Sequence, residues 1–255
     1  MIGRRIAGGS QRICRGYTKG MKPFNEKEYV YTGKLSFLPM DKTIETFRVI
    51  DLEGNVIAKE YDNVDTKLLT KIYEYMVRVE IIDDILLKSQ RQGKISFYMT
   101  SFGENATVLG VSAALKDHDM IYGQYREQAS FVWRGFTIDE MIAQCAGNKN
   151  DPASGRQMPI HYTAKRLNQQ CISSPLATQI PHAAGAGYSF RIANEDRIAV
   201  TFFGEGTTSE GDFHAGMNFG ATLNCQTLFI CRNNKYAIST SSGKSRIYPR
   251  GAVQD

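Results

Sequence analysis

The sequence predicts an α/β protein, a doubly wound parallel sheet with flanking helices behind an extended N-terminal arm. Two short apolar runs, Ile198 to Phe203 and Thr227 to Cys231, enclose a stretch with helical apolar spacing. A buried parallel βαβ unit reads this way and takes about 30 residues. Upstream, short strand-like runs keep alternating with longer helix-like ones, the pattern of helices laid over a parallel sheet. The chain has 255 residues, 42% of them hydrophobic, enough for one large domain or two small ones.

Taken in order, residues 1–25 are arginine-rich, dotted with isoleucine and free of acids before Glu26. They read as an organelle transit peptide or as a basic tail. Residues 26–63 read as the arm, with a strand from Phe47 to Leu52 and a turn at Glu53-Gly54. Residues 64–255 then form the α/β domain. Asp65 caps a long helix whose Leu68, Leu69, Ile72, Met76, Val79, Ile82 and Leu86 recur at helical steps, giving a core-facing amphipathic helix that ends at Gly93. Ile95 to Met99 reads as a strand, Ala106 to Leu115 as a small-residue helix, Met120 to Tyr122 as a strand, and Phe136 to Ala146 as a helix entered through Thr137. Residues 147–175 show no period, as in a long loop that is either functional or disordered. Ala177 to Ile192 reads as a helix, and the βαβ unit follows, its helix capped by Ser209 with Asp212 three residues on.

Composition narrows the function. The formal charge is +5, but Arg4, Arg5, Arg12, Arg15, Lys19 and Lys22 all precede the first acid; setting these six aside leaves 25 basic residues against 26 acidic ones. The body has no electrostatic case for nucleic acid. No run approaches the roughly 20 apolar residues of a membrane span. Five cysteines without CxxC spacing suggest neither a disulfide framework nor a zinc site. Gly243-Lys244-Ser245 lacks the earlier P-loop glycine, and Gly185-Ala186-Gly187 lacks the third Rossmann glycine. Gly216 and Gly220 share a helix face, which suits either a subunit contact or packing on the helix's own sheet.

Parallel strands end on the same edge, so Gly204-Glu205-Gly206 after one run and Asn233-Asn234-Lys235-Tyr236 after the next meet there. A carboxylate and a carboxamide at that place can share a magnesium ion, with a backbone carbonyl near Tyr236 and positions left for a diphosphate. Gly204 and Gly206 let the backbone turn and approach an anion. Gln124-Tyr125-Arg126 follows the short strand at Met120 to Tyr122, so Arg126 can grip a diphosphate from the same edge. Ser173-Ser174-Pro175-Leu176, with Thr178 and Gln179, offers hydroxyls, carbonyls and one apolar knuckle, compatible with cofactor contacts, a monovalent cation or an ordinary N-cap loop.

The Gly-Glu-Gly and Asn-Asn pair looks like the diphosphate and magnesium motif of thiamine diphosphate enzymes. The stretches GKISFYMTSFGENA, GQYREQ, GRQMPIHY, ISSPLATQIPHAAGAGY, FFGEGTTSEGDFHAGMNF and CRNNKYAIST resemble the alpha subunit of the branched-chain 2-oxo acid dehydrogenase complex over roughly residues 28–255. Glu205 stands where pyruvate-type relatives usually have Asp, and Ser209-Glu210-Gly211 where they usually read Asn-Gln-Gly. The resemblance implies a thiamine diphosphate-binding fold with Glu205, Asn234 and the Tyr236 carbonyl on magnesium. It places Gln124, Tyr125, Arg126, Gly204, Gly206 and Arg232 around the diphosphate, and Ser174 and Leu176 on the aminopyrimidine. Ser173, Pro175, Thr178 and Gln179 match a potassium-binding loop.

It further implies an α2β2 heterotetramer with a beta subunit in the mitochondrial matrix. The activity would be oxidative decarboxylation of branched-chain 2-oxo acids, with the acyl group passed to the lipoyl arm of an acyltransferase core. Relatives run on into a loop with an active-site histidine and regulatory serines, whereas this sequence stops at Asp255. The expectation is therefore a truncated chain or short form whose catalytic histidine lies beyond residue 255. The competing expectations are a pyruvate-type alpha subunit and a non-catalytic assembly subunit.

Overall fold

A computed structural model describes residues 47–61 and 63–242. The expected transit segment, most of the arm and the Gly243-Lys244-Ser245 stretch lie outside the described residues. In the arm, the Glu53-Gly54 turn forms with Gly54 at φ +88°, but the expected strand is reduced to one antiparallel bridge, Ile50 to Val56.

Helix α1 (Thr66–Arg91) starts where Asp65 accepts a hydrogen bond from the Lys67 N–H, relieving one of the unpaired N–H groups of a first turn. It stops before Gly93, whose φ of +73° no helical residue adopts. Ile72, Met76, Val79, Ile82 and Leu86 enter the largest apolar core. The helix is not one-faced as expected, because Leu69 and the stripe Tyr73, Val77, Ile81 and Ile85 are exposed. Val77, Ile81 and Ile85 line a groove of about 390 Å³ with Ile138 and Ile142. Asp83 is fully buried on α1 and fully occupied: it accepts from Tyr98 Oη at 2.7 Å, Ser101 N at 2.7 Å, Ser101 Oγ at 3.0 Å and Gln128 Nε2 at 3.0 Å.

Those bonds explain a correction. Ile95 to Met99 is no strand; it begins in a bend and runs outside any sheet, anchored through Tyr98 and Ser101 to Asp83. Helix α2 (Asn105–Ala114) follows, then β1 (Met120–Tyr122). A helix the sequence pattern did not reveal, α3 (Gln128–Trp133), buries five of its six residues. Helix α4 (Ile138–Ala146) is entered through a complete capping box between Thr137 and Glu140 and ends on Gly147 in the left-handed region. Helix α5 (Gln179–Ala193) leads to β2 (Ala199–Gly204), and α6 (Gly211–Thr222) to β3 (Thr227–Arg232). Ser209 does not cap α6; it ends a 3₁₀ turn over Glu205–Ser209, and Glu210 holds the cap position without a side-chain bond.

The three strands form one parallel sheet in the order β1-β2-β3, with Met120 opposite Ala199 and Ala199 opposite Thr227. Strand β2 is central, and its side chains alternate between the two faces of the sheet. Val200 and Phe202 pack with Ile121, Ile230 and Val111 of α2, whereas Ala199 and Phe203 pack with Ala183, Phe190, Ala177 and Ile180 on and beside α5. The long loop is ordered: residues 168–170 bond along β1, Ile121 N to Asn168 O at 2.9 Å and Gln170 N to Ile121 O at 2.8 Å. Ile160, Tyr162 and Ile172 fill the helical core.

Close packing accounts for the small residues of α5 and α6. A Cβ on Gly216 would lie 2.7 Å from Ile180 Cγ2, and one on Gly220 would lie 2.9 Å from the Phe229 ring. Of the two readings of that glycine face, contact with the chain's own α5 and β3 is the observed one. Gly187 likewise sits against the Gln226 carbonyl, 2.7 Å from where its Cβ would be.

Candidate cofactor site at the strand ends

Each strand of a parallel sheet releases its chain at the same edge, and here three such exits converge. After β1, Gln124 turns inward, 5% exposed, and its Oε1 accepts the Gly204 N–H at 3.2 Å, tying the exit of β1 to that of β2. The Glu205–Ser209 turn after β2 is closed by Thr208 Oγ1 donating to the Glu205 carbonyl at 2.6 Å. Glu205 is 4% exposed, and its Oε1 has no hydrogen-bond partner. Gly204 has φ −83° and open space at its Cβ, so any residue could adopt its backbone; the expected sharp glycine turn is absent there. Gly206 is different, because its Cβ would lie 2.7 Å from that of Ala237. The Glu205 turn therefore abuts the segment after β3.

That segment folds on its own side chains. Asn233 Oδ1 accepts the Lys235 N–H at 3.1 Å and Asn234 Oδ1 the Tyr236 N–H at 3.0 Å, while Lys235 takes φ +69° between them. A two-residue hairpin, β4 (Tyr236–Ala237) with β5 (Thr240–Ser241), follows. The amide of Asn234 donates to Glu104 Oε1 at 3.0 Å.

Glu104 stands just before α2 and is the hub of this edge. Besides Asn234 it holds Arg126 Nη1 at 3.0 Å through Oε1 and pairs with Arg232 through Oε2. Arg232 is 8% exposed and reaches Glu127 Oε1 at 2.5 Å. Glu127 is fully buried, and its other oxygen accepts the Gln124 N–H. Burial pushes the Glu127 carboxyl up to about 8, against the Gln124 N–H and the Arg126 charge, and burial pushes Arg232 down to about 10. Both shifts disfavour the charged forms, although the two groups lie 2.5 Å apart.

The other expected residues fall as follows. Besides its pairing with Glu104, Arg126 turns its Nη2 toward Met99 Sδ at 3.6 Å, its Nε is unpartnered, and its guanidinium lies 5.6 Å from the centre of the Tyr125 ring. The Ser173–Gln179 loop reaches the same edge, since Gln179 Nε2 donates to the Phe202 carbonyl at 3.0 Å and Ala177 packs with Phe203. Within it Thr178 Oγ1 donates to the Pro175 carbonyl at 3.1 Å, Ser173 is half-buried and Leu176 is exposed. Ser174 Oγ lies 2.8 Å from His161 Nε2. His161 Nδ1 faces the Pro159 carbonyl at 3.1 Å. A carbonyl only accepts, so Nδ1 carries the proton and Ser174 donates to Nε2.

No role for Glu104, Glu127 or His161 follows from the sequence pattern. Glu127 alone left a trace, an acid directly after Arg126 in a run with few charges. Among the described residues no three His, Cys, Asp or Glu side chains cluster as a metal site. A site of one carboxylate, one amide and one carbonyl would not form such a cluster, and it suits a hard cation shared with phosphate. Among the described residues no helix is long and apolar enough to cross a membrane.

The model of the dehydrogenase E1 component family matches residues 73–253. The chain belongs to that family. Among its relatives, the "2-oxoisovalerate dehydrogenase subunit alpha, mitochondrial" of Dictyostelium discoideum is 46% identical over 234 residues, covering 91% of this chain and 53% of the relative. The "subunit alpha 1, mitochondrial" of Arabidopsis thaliana is 48% identical over 213 residues, covering 82% and 45%. The human protein named "2-oxoisovalerate dehydrogenase subunit alpha, mitochondrial" is 45% identical over 218 residues, covering 85% and 48%. The chain spans about half the length of these dehydrogenase E1 relatives. The likeness agrees with the branched-chain alpha subunit resemblance carried by the motifs from GKISFYMTSFGENA to CRNNKYAIST.

Proposed function

We propose that this chain serves as the alpha subunit of a mitochondrial-matrix branched-chain 2-oxo acid dehydrogenase, binding thiamine diphosphate and magnesium between itself and a beta subunit. One observation carries the reading: a buried carboxylate, Glu205, directly follows the central strand with an unpartnered oxygen, in a turn that abuts Ala237 of the segment after β3. An unpaired buried carboxylate oxygen is costly in a purely structural role, and a divalent cation supplies the missing partner.

In this reading Glu205, Asn234 Oδ1 and the Tyr236 carbonyl hold magnesium. Gln124, Tyr125, Arg126, Arg232 and the backbone at Gly204 and Gly206 surround the diphosphate. Ser174 and Leu176 meet the aminopyrimidine, with Ser174 held by His161. Ser173, Pro175, Thr178 and Gln179 form a potassium loop that braces them. When bound, thiamine diphosphate supplies the carbanion and electron-sink chemistry that decarboxylates a 2-oxo acid. This chain's own residues anchor and orient it: the tie between Gln124 and Gly204 fixes two strand exits, and the paired guanidinium groups present positive charge to phosphate. The acyl product passes to a lipoyl-bearing acyltransferase. Residues 64–255 form the cofactor domain, whose sheet, covered on both faces, fits a doubly wound plan, and residues 26–63 form the N-terminal arm.

Coexpression with a beta subunit tests the proposal. Carbon dioxide release from 3-methyl-2-oxobutanoate, dependent on thiamine diphosphate and magnesium and exceeding that from pyruvate, is the expected result. Preference for pyruvate moves the chain to the pyruvate-type enzymes, and cofactor binding without turnover of either acid to a non-catalytic subunit.

A further inference from the structure

Glu104 touches three residues of the proposed site at once, although the GKISFYMTSFGENA stretch it belongs to carried no assigned role for it. Its Oε1 accepts from both Arg126 Nη1 and Asn234 Nδ2 at 3.0 Å, and its Oε2 pairs with Arg232. The bond to Asn234 has a directional consequence. An amide side chain has one donor end and one acceptor end, and its partners fix which is which. Asn234 Nδ2 faces a carboxylate oxygen and Asn234 Oδ1 faces the Tyr236 N–H. Rotating the amide by half a turn would set oxygen against oxygen and N–H against N–H.

We infer that Glu104 is a positioning residue: by holding the Asn234 nitrogen it obliges Asn234 to present its oxygen, the only atom of that side chain a hard cation accepts. The Tyr236 N–H occupies one of the two acceptor directions of Oδ1 and leaves the other free for an ion. The same carboxylate holds Arg126 and Arg232, so the anion-binding groups and the metal-binding amide share one anchor. The Glu104 side chain is 11% exposed, whereas Asn234 itself is exposed, so the carboxylate meets the amide from the buried side of the edge. The inference rests on the metal-site reading above and adds to it the residue that orients a ligand.

Binding of Mn²⁺ to the full chain in the presence of inorganic pyrophosphate, followed by the electron paramagnetic resonance of free Mn²⁺, tests it without turnover. Glu104→Ala weakens Mn²⁺ binding about 10- to 100-fold, the usual loss when the group behind a metal ligand is removed. Pyrophosphate affinity measured without metal does not fall, because the two guanidinium groups lose a competitor. Glu104→Gln keeps an acceptor oxygen for the amide and holds the Mn²⁺ constant within about threefold of wild type. In an Asn234→Ala background the Glu104→Ala loss disappears, as it must if Glu104 acts through Asn234. Should Glu104→Ala not fold, Glu104→Asp retains the charge but ends one methylene short of Asn234, and carries the same expectation for Mn²⁺.

An unchanged Mn²⁺ constant in Glu104→Ala, a parallel loss of metal-free pyrophosphate binding, or full additivity with Asn234→Ala overturns the inference. A wild-type chain that takes up no Mn²⁺ with pyrophosphate, while Glu104 variants also take up none, sinks the metal-site reading itself and this inference with it.

Discussion

Replacing Glu205 with Gln separates a metal ligand from a structural acid by the sign of its effect. Glu205 is 4% exposed with Oε1 unpartnered, and such an atom costs roughly 1–3 kcal/mol, more when charged. Glutamine has nearly the same shape and no charge, so Glu205→Gln stabilises the metal-free chain by about 2 kcal/mol. For a domain of this size that is a rise in Tm of roughly 4–8 °C. Wild type gains stability from ligand instead: magnesium with pyrophosphate at about 100 times Kd adds ~2.7 kcal/mol, or roughly 5–10 °C. The variant, lacking the only anionic protein ligand, loses that gain. The assay is thermal unfolding followed by circular dichroism, with and without magnesium and with and without pyrophosphate, on both proteins. A variant that melts below wild type in the absence of ligand, yet shows the full magnesium-dependent rise, refutes the reasoning.

Three further outcomes are expected. Lys235 sits at φ +69° between two asparagine turns, a conformation costing a non-glycine residue ~1–2 kcal/mol; Lys235→Gly, after the unfolded-state entropy of glycine, raises stability by about 0.5 kcal/mol in denaturant titrations. Gly206→Ala places a Cβ 2.7 Å from that of Ala237, so overpacking of about 1–3 kcal/mol lowers Tm and displaces the Glu205 turn, which weakens Mn²⁺ uptake with pyrophosphate. Burial raises the folded Glu127 carboxyl from 4.5 to about 8. Its contribution to stability is therefore full below about pH 4.5 and is lost as pH rises through 8, with a slope of at most ~1.4 kcal/mol per pH unit. Melts between those pH values show a shallower decline in Glu127→Gln than in wild type, and an identical decline in both contradicts the assignment.

What the sequence could show was set by the range of the interactions involved. β1 was legible to the residue, β2 and β3 to within one, and the Thr137 cap with its Glu140 partner lies within four residues of chain. Ile95 to Met99 misled because its apolar pattern serves a tether: Tyr98 and Ser101 bond a carboxylate 15 and 18 residues away. Helix α3 escaped because a helix buried on five of six residues has no polar face to set a period. The strand-end turns were legible because parallel strands share an edge, which places Glu205 near Asn234 by connectivity alone. Glu104 was not legible, since its partner Asn234 lies 130 residues on and nothing local marks the pairing.

Asp83 shows how a long helix can be indexed. An apolar seam alone tolerates sliding, because one aliphatic contact exchanges for another at little difference in energy. A single ionisable group set into the seam removes that tolerance: four donors from two separate segments, Tyr98–Ser101 and Gln128, meet it in one alignment only, and a shift of α1 by a turn in either direction would break all four bonds. The 26-residue rod is thus keyed like a bolt, and Gln128, which grips the same anion, enters the chain just after the Tyr125-Arg126 pair.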